Sequence, residues 1–264
     1  MATIAEPSNI SPLPRRRIAG DESFFVGLAL ACLTVAVVAF APTYWLQLPA
    51  GTFIGGGLIH LHGWLFTAWM LLLLGQSWLA ARGNLRHHRA WGMAGIALAS
   101  AMVCVGTLVA VISMKLHLDQ GHGDRARQFL IVPLMSMVTF PAFFALAIAN
   151  ARDTAAHRRY LFVATASLLG AAIARVFFLA FNGMGPGLRP GLTAPLTVTQ
   201  TLGPVMMSNL VIVAGMVHDW RVHGRPHRAW WVGLSTLLTI ELLRTPIAAS
   251  AVWLHFADWL AHLA

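Results

Sequence analysis

Seven runs of roughly twenty apolar residues follow one another along the chain, and they constrain its fold more than any other feature. A helix of about 20 apolar residues crosses the hydrocarbon core of a bilayer. Only 10% of the residues are charged, whereas a soluble domain carries about 25%. Backbone polar groups inside a bilayer must bond to one another, which favours helices. The chain is therefore predicted to be an all-α, polytopic transmembrane bundle.

The predicted bundle has seven helices. They cover residues 24–46, 57–81, 92–113, 129–150, 160–181, 196–217 and 230–256. Residues 1–22 are interpreted as a flexible cytoplasmic tail and residues 23–264 as the transmembrane domain. A signal peptide is the alternative for the first apolar run, but no small-residue cleavage site follows that run.

The basic residues predict the orientation of the bundle. Twelve arginines precede the first span or follow the second, fourth and sixth spans, whereas four basic residues lie in the alternate connections. Positively charged loops stay in the cytoplasm, so the N-terminus is predicted inside and the C-terminus outside. The formal charge of +9 is thus explained by contact with the lipid bilayer, and no nucleic-acid partner is predicted.

Three charged residues fall inside the predicted spans: Arg175, Glu241 and Arg244. Each costs a few kcal/mol there unless it is paired or hydrated. Glu241 and Arg244 are three residues apart, so they share a helix face and can pair. Arg175 is then an excess positive charge. One interpretation is a structural triad that holds two helices together. The other is a pocket for a polar or anionic ligand, or a proton relay.

Uncharged polar residues extend this hypothesis. Gln76 and Asn209 lie inside spans, where an amide needs a partner. Together with the three charged residues they predict a polar interior that opens outward at His62, which would act as a gate or proton carrier because imidazole titrates near neutral pH. Hydrogen bonding between helices is the alternative role for both amides.

Histidines gather at the predicted outer ends of the spans, together with aspartates. Imidazole and carboxylate suit haem, zinc, copper or iron, and His62, His117 and His255 are the preferred ligands. His60 and His62 are two residues apart, so on a helix they point to different faces. The alternative is that each histidine only forms hydrogen bonds at the membrane surface.

Two kinds of connection stand out. The sequence His-Arg, followed two residues later by an aromatic residue, closes three predicted inner loops at His88, His157 and His227. Arginine binds lipid phosphates and Trp or Tyr lies at the headgroup level, which predicts membrane anchoring; a repeated two-helix unit is the alternative. The Gly- and Pro-rich stretch 182–195 is either a plain connection or a lid.

The pattern His62-Gly63, Gln76, His88-Arg89-x-x-Gly92 and the later His157-Arg158-Arg159-Tyr160 resembles uncharacterised bacterial multi-pass membrane proteins. The resemblance covers about half of the chain, implies a bacterial cytoplasmic membrane and carries no established activity. A looser resemblance to cytochrome b561-type bundles rests on the histidines. That fold binds haem through histidines at matched depth inside facing helices, whereas the histidines here lie near the span ends.

Three classes of function follow from these residues. The first is a membrane protein that binds or transports a small polar or anionic ligand, or relays protons, through the outward-facing pocket. The second is a membrane redox or metal-dependent enzyme that uses the outer histidines. The third is a structural or assembly subunit of a larger membrane complex. A homo-oligomer is compatible with each of them.

Overall fold

A computed structural model describes residues 15–183 and 194–263, and no strand occurs in these two ranges. The helices are α1 (Arg15–Phe40), which continues into a π-helical turn (Ala41–Trp45), α2 (Gly57–Ala81), α3 (Leu85–Asp119), α4 (Gly123–Phe129), α5 (Ile131–Ala149), α6 (Thr154–Asn182), a 3-10 turn (Thr199–Thr201), α7 (Leu202–Ser208), α8 (Leu210–His223), α9 (Arg228–Ala248) and α10 (Ala251–Leu263).

The helices confirm a multi-pass membrane architecture. Within the described ranges, six helical segments are long and apolar enough to span a bilayer, and a seventh results if α9 and α10 count as one broken span. The seventh span predicted over 230–256 is not one continuous helix, because α9 and α10 meet at a bend of 84°. The Ser250 hydroxyl accepts a hydrogen bond from the Trp253 amide, which starts a new helix after the bend.

Several predicted boundaries shift. The first helix begins at Arg15, so residues 15–22 are helical rather than a tail, and residues 1–14 lie outside the described ranges. Helix α3 begins at Leu85 and includes the His-Arg motif that was predicted to close a loop. The predicted fourth span coincides with α5, which the short helix α4 precedes, and the predicted sixth span is divided at Asn209. Most of the predicted lid, residues 184–193, is outside the described ranges.

Helix α6 is the centre of the bundle and packs against α1, α5, α7, α8 and α9. Small residues allow close approach there. A Cβ atom on Gly170 would lie 2.7 Å from a methyl group of Val205 in α7, and one on Gly233 would lie 2.5 Å from a methyl group of Val163. Trp69 in α2 also bonds to α6, since its indole N–H donates to the Thr165 hydroxyl at 3.2 Å.

The bundle has two chemically different ends. We call the end formed by the start of α1 and by connections 82–84, 150–153 and 224–227 the basic end, because its arginines dominate. The other is called the opposite end. There, α10 packs against α3 and α4. The Trp253 indole donates to the Arg127 carbonyl at 2.9 Å, and the Arg127 guanidinium is paired with Asp258.

Candidate functional site

Arg175 lies on α6, half-buried and near the opposite end. Within residues 15–183 and 194–263 its guanidinium has no ion pair and no hydrogen bond. The guanidinium instead lies over the Phe40 ring, whose centroid is 5.6 Å from the guanidinium carbon. The guanidinium is also close enough to His62 for an electrostatic interaction. A cation in a membrane span without a carboxylate partner is costly.

His62 lies on α2 and faces this guanidinium. Its Nδ1 is buried without a hydrogen-bond partner, and its ring packs against Phe66 with centroids 4.2 Å apart. At about 1.5 Å per residue, His62 is about 8 Å from the start of α2 and Arg175 about 11 Å from the end of α6. The two side chains therefore lie at similar depth. We call His62, Arg175, Phe40 and Phe66 the outer site.

His60 does not share this face, as predicted from its spacing. Its Nδ1 lies 3.0 Å from the Tyr44 hydroxyl in the π-helical turn. The Tyr44 ring also packs closely against Gly63, where a Cβ atom would lie 3.3 Å from the ring. These contacts fasten the first turn of α2 to the chain that follows α1, and so they position His62.

Glu241 and Arg244 form a second, separate group. The Asn209 amide donates to both Glu241 carboxylate oxygens at 3.0 and 3.3 Å, and the Arg244 Nη2 donates to the Thr201 hydroxyl at 2.8 Å. All four side chains are buried. Glu241 and Arg244 interact electrostatically, as their spacing allows, but they form no direct ion pair within 4.0 Å. Each side chain instead hydrogen-bonds to a neighbouring helical segment, and Arg244 Nε has no partner.

The two groups lie against different faces of α6. Gly170 and Phe177 of α6 pack against Val205 and Gly203 of α7. At 100° per residue, Arg175 is rotated by about 140° and 160° from those two residues. No recorded contact joins Arg175 to Glu241 or Arg244 within the described ranges. The single pocket expected from the sequence is therefore divided into two sites.

Gln76 belongs to neither group. Its Nε2 donates to the His88 carbonyl at 3.0 Å and so joins α2 to α3 at the basic end. Gln76 lies about 21 Å along α2 from His62, which places it at the end of the helix remote from the outer site. Gln76 and Asn209 both bond between helices, which was the alternative interpretation of these amides.

The three histidines chosen as metal ligands do not converge. His117 Nδ1 lies 3.3 Å from the Gln120 Oε1, His255 is exposed on α10, and His62 lies in the outer site. Among described residues, one trio of side chains places potential ligand atoms within 4.8 Å of one another: Asp21, Asp219 and His223. Both aspartates of that trio are already engaged by arginine.

A buried ion pair at the basic end was missed by the sequence analysis. Arg159 is 2% exposed and Asp219 is 1% exposed. Arg159 donates to both carboxylate oxygens, and Asp219 also accepts from the Trp230 indole and the His227 amide, each at 3.0 Å. The prediction that Trp230 lies at the headgroup level is therefore wrong, since Trp230 is fully buried. Arg159, Asp219 and Trp230 join α6, α8 and α9 instead.

A second set of ion pairs ties α1 to this network. Arg158 pairs with Asp21 and with Glu22, and His218 Nε2 lies 2.9 Å from the other oxygen of Asp21. The chain has only nine acidic residues. Two of these acidic residues, Asp21 and Glu22, directly precede the first predicted span, and Asp219 follows the sixth. Their positions near the arginine-rich loops were the sequence signal that these arginines have acidic partners.

The motif histidines stabilise helix ends. His157 Nδ1 lies 2.8 Å from the Ala147 carbonyl in the last turn of α5, where carbonyls have no partner within their own helix. His88 Nδ1 lies 3.3 Å from the Gln76 carbonyl, about one turn before the end of α2. His227 Nδ1 accepts from the Ala229 amide at 3.1 Å and caps α9. Burial, followed by the Arg159 charge, lowers the pKa of His227.

Comparison of the chain with protein-family models, with curated proteins and with solved structures finds no match.

Proposed function

We propose that the chain is a protein of the bacterial cytoplasmic membrane that binds a small anionic ligand at the outer site, with Arg175 as the charge that holds it. His62 lies at the mouth of the site as a gate or proton carrier. Transport of the anion, or proton transfer coupled to its binding, is the process that such a site would serve. The proposed orientation places the N-terminus and the basic end in the cytoplasm.

The observation that carries this proposal is the unpaired guanidinium of Arg175. The two fully buried arginines of the described ranges each have an acceptor: Arg159 has Asp219, and Arg244 has Thr201. Arg175 has an aromatic ring and a histidine whose own Nδ1 is unpaired. An anion between them would neutralise the guanidinium and accept a hydrogen bond from the imidazole. Arginine binds carboxylate and phosphate oxygens through two parallel bonds.

The proposal predicts the stability of an Arg175→Met variant. A charged residue within a span costs about 2.5–3.5 kcal/mol on insertion scales. If that cost is uncompensated without ligand, the methionine variant unfolds at a higher temperature than the wild type in lipid nanodiscs. If Arg175 only held helices together, the variant would unfold at a lower temperature. Arg86→Met, at an exposed position on the basic end, is the matched control.

Ligand binding is tested with acetate, succinate, phosphate and chloride as probes, each titrated as the sodium salt against nanodisc-embedded protein. Wild-type protein is expected to gain thermal stability with at least one anion, by about 2.7 kcal/mol at a concentration of 100 Kd. The gain should disappear in Arg175→Met and persist in Arg86→Met. An equal gain in both variants, or no gain with any probe in the wild type, would contradict the proposal.

A further inference from the structure

A cavity of about 520 Å³ opens at the basic end, between the start of α6, the end of α8 and the start of α9. Pockets that bind small molecules measure about 300–1,000 Å³. This cavity is far from the outer site, because it lies at the other end of α6. Its lining is strongly basic and includes Arg158, Arg159, His223, Arg225, His227 and Arg228.

The carboxylates near the cavity do not neutralise its surface. Asp219 is the acidic residue in its lining, and it is 1% exposed and saturated by donors. Asp21 and Glu22, the partners of Arg158, do not line the cavity. Asp153 interacts electrostatically with His227 and Arg228, but it lies outside the lining and caps α6 through the Ala155 and Ala156 amides.

Three donors remain available at this surface. Arg225 and Arg228 are exposed, and neither has an ion pair within the described ranges. His227 accepts the Ala229 amide at Nδ1. In a neutral imidazole the other nitrogen then carries the proton, so Nε2 of His227 is a hydrogen-bond donor. Two guanidinium groups and an imidazole N–H, on three different residues, suit an anion with several oxygens around one centre.

The position of the cavity relative to the membrane further restricts the class of ligand that it could bind. Trp231, which lines it, is 56% exposed, and the next residue, Val232, is 43% exposed. An exposed tryptophan followed by an apolar helix face is typical of the headgroup level of a bilayer. Basic pockets between helices at this level bind the phosphates of anionic lipids.

We propose that this cavity binds a phosphate group, carried by an anionic lipid headgroup or by a free phosphate in the adjoining water. Arg225 and Arg228 hold the phosphate oxygens, and His227 donates a further hydrogen bond. A lipid would lie with its acyl chains along the exposed face of α9 that begins at Trp231. The site is independent of the outer site, so an Arg175→Met variant retains it.

The test compares two double variants that remove the same charge from the same end of the protein. Arg225→Gln/Arg228→Gln alters the cavity. Arg152→Gln/Arg221→Gln alters exposed arginines that do not line it. Inorganic phosphate is titrated against protein in phosphatidylcholine nanodiscs. Separately, retention of phosphatidylglycerol against phosphatidylcholine is measured by native mass spectrometry in mixed micelles.

Wild-type protein is expected to bind at least one of the two probes. The cavity variant is expected to bind that probe with a Kd at least about tenfold higher, which corresponds to a loss of about 1.4 kcal/mol of binding free energy. The control variant should stay within about twofold of the wild type. Retention of phosphatidylglycerol alone identifies a lipid, and binding of inorganic phosphate alone identifies a free phosphate; either supports the site.

Binding of neither probe to the wild type overturns the proposal, as does equal weakening in the two double variants. Should the cavity variant fail to fold, Arg225→Gln alone carries the test, because Arg225 lies in the connection between α8 and α9 rather than in a helix.

Discussion

Replacing Asp219 with asparagine tests whether the basic end is held together by its buried ion pair. The substitution keeps the size of the side chain and the acceptor for the Trp230 indole. It removes the charge that compensates Arg159, and it turns an amide N–H toward guanidinium donors. Because both side chains are nearly fully buried, water has little access to the guanidinium that loses its partner.

The structure sets the size of the effect. Removing one partner of a buried ion pair costs about 3–5 kcal/mol. A change of 1 kcal/mol shifts the unfolding temperature by about 2–4 °C for a chain of 150–250 residues. Asp219→Asn is therefore expected to lower the unfolding temperature by about 10 °C. Asp258→Asn, which removes a pair that is 42% exposed on the aspartate side, should cost no more than about 1 kcal/mol.

The assay is thermal unfolding in lipid nanodiscs, followed by tryptophan fluorescence and by circular dichroism at a single pH. The double variant Arg159→Gln/Asp219→Asn removes the uncompensated charge and should recover at least about half of the loss, which a double-mutant cycle measures as coupling. If Asp219→Asn costs no more than Asp258→Asn, the reasoning that this buried pair organises α6, α8 and α9 is refuted.

Three further predictions follow from other contacts. Burial lowers the pKa of His227, so the unfolded chain takes up the proton first and stability falls as pH drops below about 6.5; His227→Asn, which keeps a capping acceptor, should lose less stability between pH 7 and pH 5 in thermal melts. Gly215→Ala should cost about 1–3 kcal/mol, because its Cβ would overlap the buried Trp230 ring, whereas Gly27→Ala meets nothing within 4 Å and should be neutral or stabilising in the same melts. Arg127→Ala should speed hydrogen exchange in α10, which the Arg127 guanidinium holds through Asp258, and leave exchange in α2 unchanged; an exchange rate in α10 equal to that of the wild type would contradict this role.

The sequence predicts the spans well because their signal is local. A run of apolar residues that crosses a bilayer can be recognised without knowledge of its neighbours, and the predicted range 57–81 coincides with α2. Boundaries fail where a tertiary contact decides them. Helix α1 extends back to Arg15, and its Asp21 and Glu22 are bonded to Arg158, which lies far along the chain.

Side-chain partners are harder to predict because the chemistry at one position does not reveal what faces it. Arg159 and Asp219 are 60 residues apart in the sequence. The His-Arg-aromatic pattern around Arg159 is compatible with lipid anchoring as well as with a buried ion pair. Glu241 and Arg244 are the opposite case, in which the sequence suggests a partner that the structure does not use for a direct ion pair. Their spacing permits a pair, but Asn209 and Thr201 on a neighbouring segment offer each of them a bond of good geometry.

Two arginines on α6 show why pairing, rather than depth alone, separates structure from function. The Arg159 guanidinium donates three hydrogen bonds, two to the Asp219 carboxylate and one to the Ala155 carbonyl, so its removal should destabilise the fold. Arg175 contacts the Phe40 ring but donates no such bond within the described ranges, so ion pairing does not account for its presence in a span. If substitution of Arg159 lowers the unfolding temperature and substitution of Arg175 raises it, then Arg175 destabilises the unliganded fold, as expected for a residue whose role is to bind a ligand. If both lower it, Arg175 has a structural partner and the outer site is not a binding site.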